Sequence, residues 1–296
     1  MKKIVYLIIS LAFITVSCTE EFEFEFDSNA QVLVVDGVLT DQDVDHYIRL
    51  TKSKNTLVNA DFSGSSNSAA QFEAIKDAKI TISDDAGNTE VLSYVGIREN
   101  YYPYTEGYYK IENIRGVVGR TYTLKIEWSG KLYQSVSMLK AVPEIEQVTF
   151  KDKYLEAKEE TVTIPLLHFA EPQNTSDYYL LHYKIDGFGG SDRNWEYSII
   201  SDKYLTEQVN GLEIDDGQSA SGRDFYSKIS LGAEVEVFME SLTKDAYEFY
   251  KGIIDQFDSD GGSFSQTPAS PSGNISNGAL GLFRCSAVAS KSLIKD

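Results

Sequence analysis

From residue 31 onward, the chain consists largely of short segments in which apolar and polar residues alternate, separated by turns rich in Gly, Asp, Ser and Asn. Two clear examples are segments 121–128 and 131–137, which are joined by Ser129-Gly130. Alternation with a period of two places every second side chain on the same face of a β-strand. A series of such strands with turns between them predicts a mainly β fold of sandwich type.

The pair Val142-Pro143 divides this series of strands in two, because Pro favours an extended junction. We therefore predict two β-sandwich domains of immunoglobulin or transthyretin type, an N-terminal one over residues 31–142 and a C-terminal one over residues 143–296. One large sandwich is the alternative. Within the first part, Gly37 indicates a bulge, and segments 78–83 and 89–95 predict a hairpin around the turn 84–88.

One segment has the periodicity of a helix instead. Apolar residues recur at spacings of three and four from Ala246 to Phe257, and they form one apolar stripe. Thr243 is a candidate N-cap for this helix. The pattern predicts an amphipathic helix near residues 243–257 whose apolar face docks on the second sandwich.

The N-terminus has the pattern of an export signal. Two Lys residues precede the apolar stretch 4–16, which is too short to span a membrane but has the length of a signal-peptide core. The stretch ends in Thr15-Val16-Ser17-Cys18, which resembles the cleavage box of bacterial lipoproteins. We predict a lipoprotein signal peptide over residues 1–17 and a lipid on Cys18, with an ordinary secretory signal as the alternative.

Residues 18–30 form an acidic tether after that cysteine. The acidic side chains Glu20, Glu21, Glu23 and Glu25 alternate in part with Phe, and Asp27 follows them. This run resembles the export tag that directs Bacteroidetes lipoproteins to the outer leaflet of the outer membrane. We therefore expect a lipid-anchored outer-membrane protein that faces the cell surface, although a strand or a solvated linker would have a similar composition.

Charge and cysteine content exclude several classes of protein. The chain has 27 Lys+Arg against 45 Asp+Glu, a formal net charge of −18, which repels the phosphates of a nucleic acid. Two Cys are too few for a disulfide-dense scaffold or a Cys-rich zinc site. Cys285 lies in an apolar run and is predicted to be a buried structural thiol.

Catalytic motifs are missing from the sequence, which has no G-x-S-x-G, HExxH, Walker or G-x-G-x-x-G pattern. His46, His168 and His182 are too scattered to indicate a metal site, so we predict packed or surface histidines. The acidic loops 41–45 and 258–262 lack the Gly and Glu of an EF-hand and are predicted to be solvated turns. We expect no enzymatic activity, no cofactor and no metal.

Clustered tyrosines are the best surface signal. Tyr101, Tyr102 and Tyr104 lie in a Pro-containing stretch and form a candidate binding surface for a protein or a sugar, with core packing as the alternative. For the adjacent pairs 108–109 and 178–179, strand alternation predicts that one tyrosine of each pair is buried.

Several segments, taken in order, resemble a family of Bacteroidetes lipoproteins known as the domain of unknown function 4249. They are the lipoprotein start, Leu33-Val-Val-Asp-Gly37, Ala78-Lys-Ile-Thr-Ile-Ser-Asp84, Gly107-Tyr-Tyr, Val142-Pro143, Ser241-Leu-Thr-Lys-Asp-Ala-Tyr-Glu-Phe-Tyr250 and Gly273-Asn-Ile-Ser-Asn-Gly-Ala-Leu-Gly-Leu-Phe283. The resemblance implies a surface lipoprotein whose genes often neighbour those of TonB-dependent outer-membrane receptors. It supplies no catalytic residues.

These observations favour a non-enzymatic binding subunit that partners a TonB-dependent receptor in nutrient transport. A stand-alone adhesin or glycan-binding lipoprotein is the second hypothesis, with Tyr101–Tyr104 as its binding face. A hydrolase with an unrecognised carboxylate pair is the third.

Overall fold

A computed structural model describes residues 31–53, 72–98, 105–156, 159–189, 198–214, 229–258 and 271–296. Several predicted features lie outside these residues. They are the signal peptide 1–17, the lipidation site Cys18, the export tag Glu20, Glu21, Glu23 and Glu25, and the tyrosines Tyr101, Tyr102 and Tyr104.

The fold is mainly β, as the alternation predicted, and the described residues include one α-helix, α1 (Lys244–Asp258). The strands are β1 (Leu33–Thr40), β2 (His46–Ser53), β3 (Phe72–Ala74), β4 (Lys79–Asp84), β5 (Thr89–Val91), β6 (Ser93–Ile97), β7 (Glu106–Ile111), β8 (Thr121–Trp128), β9 (Lys131–Met138), β10 (Gln147–Leu155), β11 (Glu160–Ala170), β12 (Tyr178–Ile185), β13 (Phe188–Gly189), β14 (Ser198–Ser201), β15 (Gln208–Glu213), β16 (Glu234–Leu242), β17 (Leu280–Ser286) and β18 (Val288–Ile294). None of the helices among the described residues is long and apolar enough to cross a membrane.

Two sheets contribute to the first core. One has the strand order β17-β1-β2-β7-β6, with β3 also paired to β2, and the other has the order β5-β4-β8-β9. Their inward side chains, such as Ile48, Leu50, Ile82 and Tyr122, are fully buried and belong to one cluster. Alternation with a period of two therefore produces a sandwich-like arrangement here, with a buried inner face on each sheet.

The strand β17 joins this first core although it lies near the other end of the chain. It runs parallel to β1, in a register from Val34 opposite Leu280 to Thr40 opposite Ser286. Phe283 and Cys285 thereby enter the first core. The sequence did not indicate this connection between the two halves of the chain, and the division into two domains at Val142-Pro143 stays a prediction.

Gly37 does not form the predicted bulge. Strand β1 keeps an unbroken register with both β2 and β17 at this residue. A Cβ atom on Gly37 would lie 2.8 Å from Cδ1 of Ile48 and 3.1 Å from Cδ2 of Phe283. The glycine therefore makes room for two core side chains from the neighbouring strands.

The predicted hairpin of segments 78–83 and 89–95 is only partly correct. Strand β5 pairs with β4, as predicted, around a turn in which Asp84 accepts hydrogen bonds from Ala86 and Asn88. Beyond Leu92 the chain enters the other sheet, where β6 pairs with β7. The buried Leu92 lies where the chain passes between the sheets, so segment 89–95 contributes to both layers.

Two further sheets contribute to the second core. One has the order β10-β11-β15, and the other has the order β13-β12-β16-β18, with β14 also paired to β12. Their inward residues include Phe169, Tyr179, Val237 and Met239, all fully buried. The sequence patterns did not predict strands β15 and β18. In β15, polar residues interrupt the apolar pattern, and Gly211 has a φ of 84°.

The predicted helix is confirmed as α1. The side chain of Thr243 accepts a hydrogen bond of 3.3 Å from the backbone N–H of Ala246, which is the role of an N-cap. The apolar face of α1 packs on Leu180, Leu242 and Leu282, which belong to β12, β16 and β17. The helix therefore contacts strands from both the second and the first core.

Candidate functional site

An exposed row of apolar side chains runs along β9 and forms the first candidate site. Leu132, Val136 and Met138 are 44–49% exposed, and the exposed polar residue Gln134 lies between Leu132 and Val136 on the same face. The residues that alternate with them from 133 to 137 are buried. Every second side chain of a strand points to the same face, so these three lie on one outward surface. We refer to Leu132, Val136 and Met138 as the β9 row.

Polar residues border the β9 row. On the neighbouring strand β8, Thr121 lies opposite Met138, Thr123 opposite Val136 and Glu127 opposite Leu132. Glu127 also forms an ion pair with Lys79, at a distance of 2.9 Å. The row and its neighbours therefore form a mixed apolar and polar surface, and protein interfaces commonly combine both kinds of side chain.

The backbone edge of β9 is occupied by other parts of the chain. Gln134 and Ser276 exchange hydrogen bonds, and the amide of Asn277 donates to the carbonyl oxygen of Leu132. Because this edge is already paired, a partner at the β9 row would contact side chains and would not add a strand.

A second surface combines aromatic rings with arginines near the predicted tyrosine site. Tyr47 of β2 packs edge to face on Tyr108 at a centroid distance of 6.0 Å. The guanidinium of Arg98 lies 5.4 Å from the ring of Tyr47, and that of Arg49 lies 5.7 Å from the ring of Tyr108. Arg98 directly precedes the segment 99–104, which contains Tyr101, Tyr102 and Tyr104.

This surface also explains an error in the prediction for the pair 108–109. Both tyrosines are buried, since Tyr109 is in the core and Tyr108 is covered by Tyr47 and Arg49. For the pair 178–179 the prediction is confirmed. Tyr179 is fully buried, and the half-buried Tyr178 packs against Tyr247 of α1.

A buried ionic network lies where α1, β16 and β17 meet. The guanidinium of Arg284 contacts the carboxylate of Glu240 and donates to the hydroxyls of Tyr250 and Ser286 at 3.0 and 2.7 Å. On its other oxygen, Glu240 lies 3.1 Å from Nε2 of His182. Burial by itself would raise the pKa of Glu240, but the charge of Arg284 and the bond to His182 hold it at about 2.

The histidines are packed, as predicted. Nε2 of His46 accepts hydrogen bonds from the backbone N–H and the hydroxyl of Thr40 at 3.0 and 2.7 Å. Burial, together with the charges of Arg115 and Arg98, lowers the pKa of His46 to about 4, so its ring is neutral at pH 7. His168 bonds to Thr149 at 2.8 Å, and His182 stacks on Phe238.

Two further expectations about side chains are met. Cys285 is a free, buried thiol, and burial raises its pKa to about 12. In the loop 41–45, Asp41 accepts a hydrogen bond from the backbone N–H of Val288, and Asp45 pairs with Lys110 at 2.9 Å. These carboxylates are exposed and have separate partners, as in a solvated turn, whereas residues 259–262 of the other acidic loop lie outside the described residues.

One cluster of carboxylates was missed by sequence reasoning. Glu171, Asp177 and Asp202 each place a carboxylate oxygen within 4.8 Å of the others. These residues follow β11, precede β12 and follow β14, so the pairing of β12 with β14 brings them together. The carboxylates of glycosidases are typically about 5–9.5 Å apart and line an open cleft, whereas these are closer and two of them are buried.

The chain matches a known protein family over most of its length. The family model described as the domain of unknown function (DUF4249) matches residues 19–292. None of the curated proteins that were compared with the chain matches it.

Proposed function

The chain belongs to the family described as the domain of unknown function (DUF4249), and we propose that it is a surface-exposed outer-membrane lipoprotein. In this proposal it acts as a non-enzymatic binding subunit of a TonB-dependent nutrient transporter. The family match begins at residue 19, directly after Cys18. The match therefore covers the chain that follows the predicted signal peptide and lipidation site.

The observation that carries the binding role is the β9 row. Three apolar side chains that are nearly half exposed on one strand face keep contact with water unless a partner covers them. The face is the outer surface of a sheet, whereas sites for small molecules are usually concave. A protein partner therefore fits this surface better than a small ligand does.

The experiment is recovery of partners from detergent-solubilised membranes with the tagged full-length lipoprotein. The test variant carries Val136→Glu and Met138→Glu, which place two charges in the β9 row. The control variant carries Leu231→Glu, which adds a charge at a residue that is 79% exposed in a turn away from β9. All three proteins are compared at equal expression.

We expect the native chain and the Leu231→Glu variant to recover an outer-membrane barrel, and the double variant to lose most of it. Burying an unpaired charge at the centre of an interface costs several kcal/mol, and each 1.4 kcal/mol weakens binding about tenfold. Recovery of no barrel by the native chain would contradict the transporter role. Equal recovery by all three proteins would exclude the β9 row as the contact.

A second candidate function is a stand-alone adhesin or glycan-binding protein. The half-buried ring of Tyr47 beside the guanidinium of the exposed Arg98 favours it, because an aromatic ring next to a hydrogen-bond donor suits the face and hydroxyls of a sugar. Binding on a glycan array should fall in the variants Tyr102→Ala and Tyr104→Ala. Binding that survives both substitutions would remove this segment as the site.

A further inference from the structure

The carboxylate cluster of Glu171, Asp177 and Asp202 is held in place by its own backbone. The backbone N–H of Asp202 donates to the carbonyl oxygen of Asp177 at 3.0 Å, and the backbone N–H of Asp177 donates to Oδ2 of Asp202 at 2.7 Å. The backbone N–H of Glu171 donates to the carbonyl oxygen of Glu207 at 2.8 Å. These bonds fix three acidic residues beside one another at the ends of β11, β12 and β14.

Glu171 is the least solvated member of the cluster. Glu171 is only 4% exposed, and its Oε1 accepts a hydrogen bond of 2.9 Å from the hydroxyl of the buried Tyr179. The second oxygen, Oε2, is buried and has no hydrogen-bond partner among the described residues. A buried carboxylate oxygen without a partner is costly, so an ion or an ordered water molecule is expected beside it.

The charge near the cluster is also incompletely balanced. Lys140 donates to Oδ1 of Asp177 at 2.9 Å and to the carbonyl oxygen of Ser176 at 2.6 Å. One ammonium group offsets one of the three carboxylates, so two negative charges are left over when all three are ionised. A divalent cation would balance them.

We propose that Glu171, Asp177 and Asp202 form a binding site for a calcium ion. Calcium takes oxygen ligands at about 2.3–2.6 Å, so two oxygens bound to one ion lie at most about 5 Å apart. The oxygens of the cluster meet this condition, since all lie within 4.8 Å of one another. The ligand set contains only carboxylates and so suits a hard cation, while a site with His or Cys would favour zinc.

The ion would add a link between three strand ends that backbone hydrogen bonds already place beside one another. Asp202 is only half-buried, so its side of the cluster is open to the water molecules that complete a calcium shell. Bound calcium would link the end of β11 to the adjacent ends of β12 and β14. The site would thereby stabilise the second core, independently of whether the β9 row binds a transporter.

Calcium and magnesium titrations of the full chain, purified in detergent and stripped with a chelator, test this proposal. The readouts are the thermal midpoint of unfolding and the luminescence of Tb³⁺, a calcium substitute that tyrosines such as Tyr179 sensitise. The test variants are Glu171→Gln and Asp202→Asn. The control is Glu207→Gln, which removes an exposed charge beside the cluster and leaves the three carboxylates intact.

We expect calcium to raise the midpoint of the native chain and the Glu207→Gln variant by a few degrees, with half-saturation at about 10⁻⁴–10⁻³ M. Calcium should also displace Tb³⁺. Both test variants should bind at least tenfold more weakly. Gln at position 171 keeps an oxygen for Tyr179, so this variant should still fold, which far-ultraviolet circular dichroism verifies.

Two results would overturn the proposal. One is the absence of any calcium-dependent change in the native chain. The other is a change that magnesium reproduces and that persists in Glu171→Gln and Asp202→Asn, because this pattern indicates general screening of an acidic protein.

Discussion

The buried pair of Glu240 and Arg284 allows a prediction whose size follows from the structure. Both residues are about 8% exposed or less, and the pair connects β16 of the second core to β17 of the first. The substitution Glu240→Gln keeps the shape and an acceptor oxygen for His182. It removes the negative charge that Arg284 contacts, so a buried cation loses that partner.

The expected cost is about 3 kcal/mol at pH 7. The pKa of Glu240 is held at about 2, against an ordinary value of 4.5, and each pH unit corresponds to about 1.4 kcal/mol. Removing one partner of a buried ion pair typically costs about 3–5 kcal/mol, which agrees. Because the pKa is lowered on folding, this stabilisation is present above pH 4.5 and is lost as the pH falls towards 2.

Urea denaturation at pH 7 measures the free energy of unfolding for Glu240→Gln and for the matched control Glu234→Gln, an exposed residue on the same strand. The control should change stability by less than about 0.5 kcal/mol. The double variant Glu240→Leu with Arg284→Met should cost less than Glu240→Gln alone, because an apolar pair leaves no buried charge.

The reasoning would be refuted if Glu240→Gln cost less than about 1 kcal/mol at pH 7. It would also be refuted if the native chain and Glu240→Gln lost stability equally between pH 4.5 and 2, because the carboxylate would then contribute nothing in the window where its protonation changes.

Three further predictions concern the first core. The substitution Gly37→Ala should destabilise the chain by about 1–3 kcal/mol, because its Cβ would lie 2.8 Å from Cδ1 of Ile48; adding Ile48→Val, which removes that methyl group, should recover part of the loss in denaturant titrations. The ring of His46 should stay neutral down to about pH 4 in an NMR titration. Because its pKa is lowered on folding, the free energy of unfolding should rise with pH between about 4 and 6.5. Protonation of His46 near pH 6.5 would contradict its burial. Cys285 should react with a thiol reagent at neutral pH only in denaturant, since its thiol is buried and its pKa is about 12; rapid labelling of the native chain would show that the first core opens at β17.

Local patterns predicted many of the elements, because periodicity depends on neighbouring residues. Strands β8 and β9 and the helix α1 all follow from alternation or from spacings of three and four. The cap at Thr243 was equally predictable, because it acts within one helical turn.

Pairing across long distances was not predictable from those patterns. Most of β17 is buried along consecutive residues, so it has no alternation that would identify its face or its partner. Segment 89–95 has one continuous strand pattern, yet it divides at Leu92 between two sheets, because each half completes a different layer.

The candidate sites also differ in how far the sequence alone could predict them. The β9 row was visible in the sequence as alternating residues, but its exposure depends on which face of β9 packs on the core. The carboxylates of Glu171, Asp177 and Asp202 became neighbours only through the pairing of β12 with β14. No local spacing marks them as a group, and isolated acidic residues are common in a chain with 45 Asp and Glu.

The parallel pairing of β17 with β1 has a consequence for the order of events during synthesis. The side chain of Asp41, beside β1, holds the backbone of Val288, 247 residues away. An emerging chain would therefore carry an unpaired edge on β1 through most of its translation, and contacts of such long range form slowly. Until residues 280–286 are available, the edge of β1 that later pairs with β17 is open to pairing with other chains.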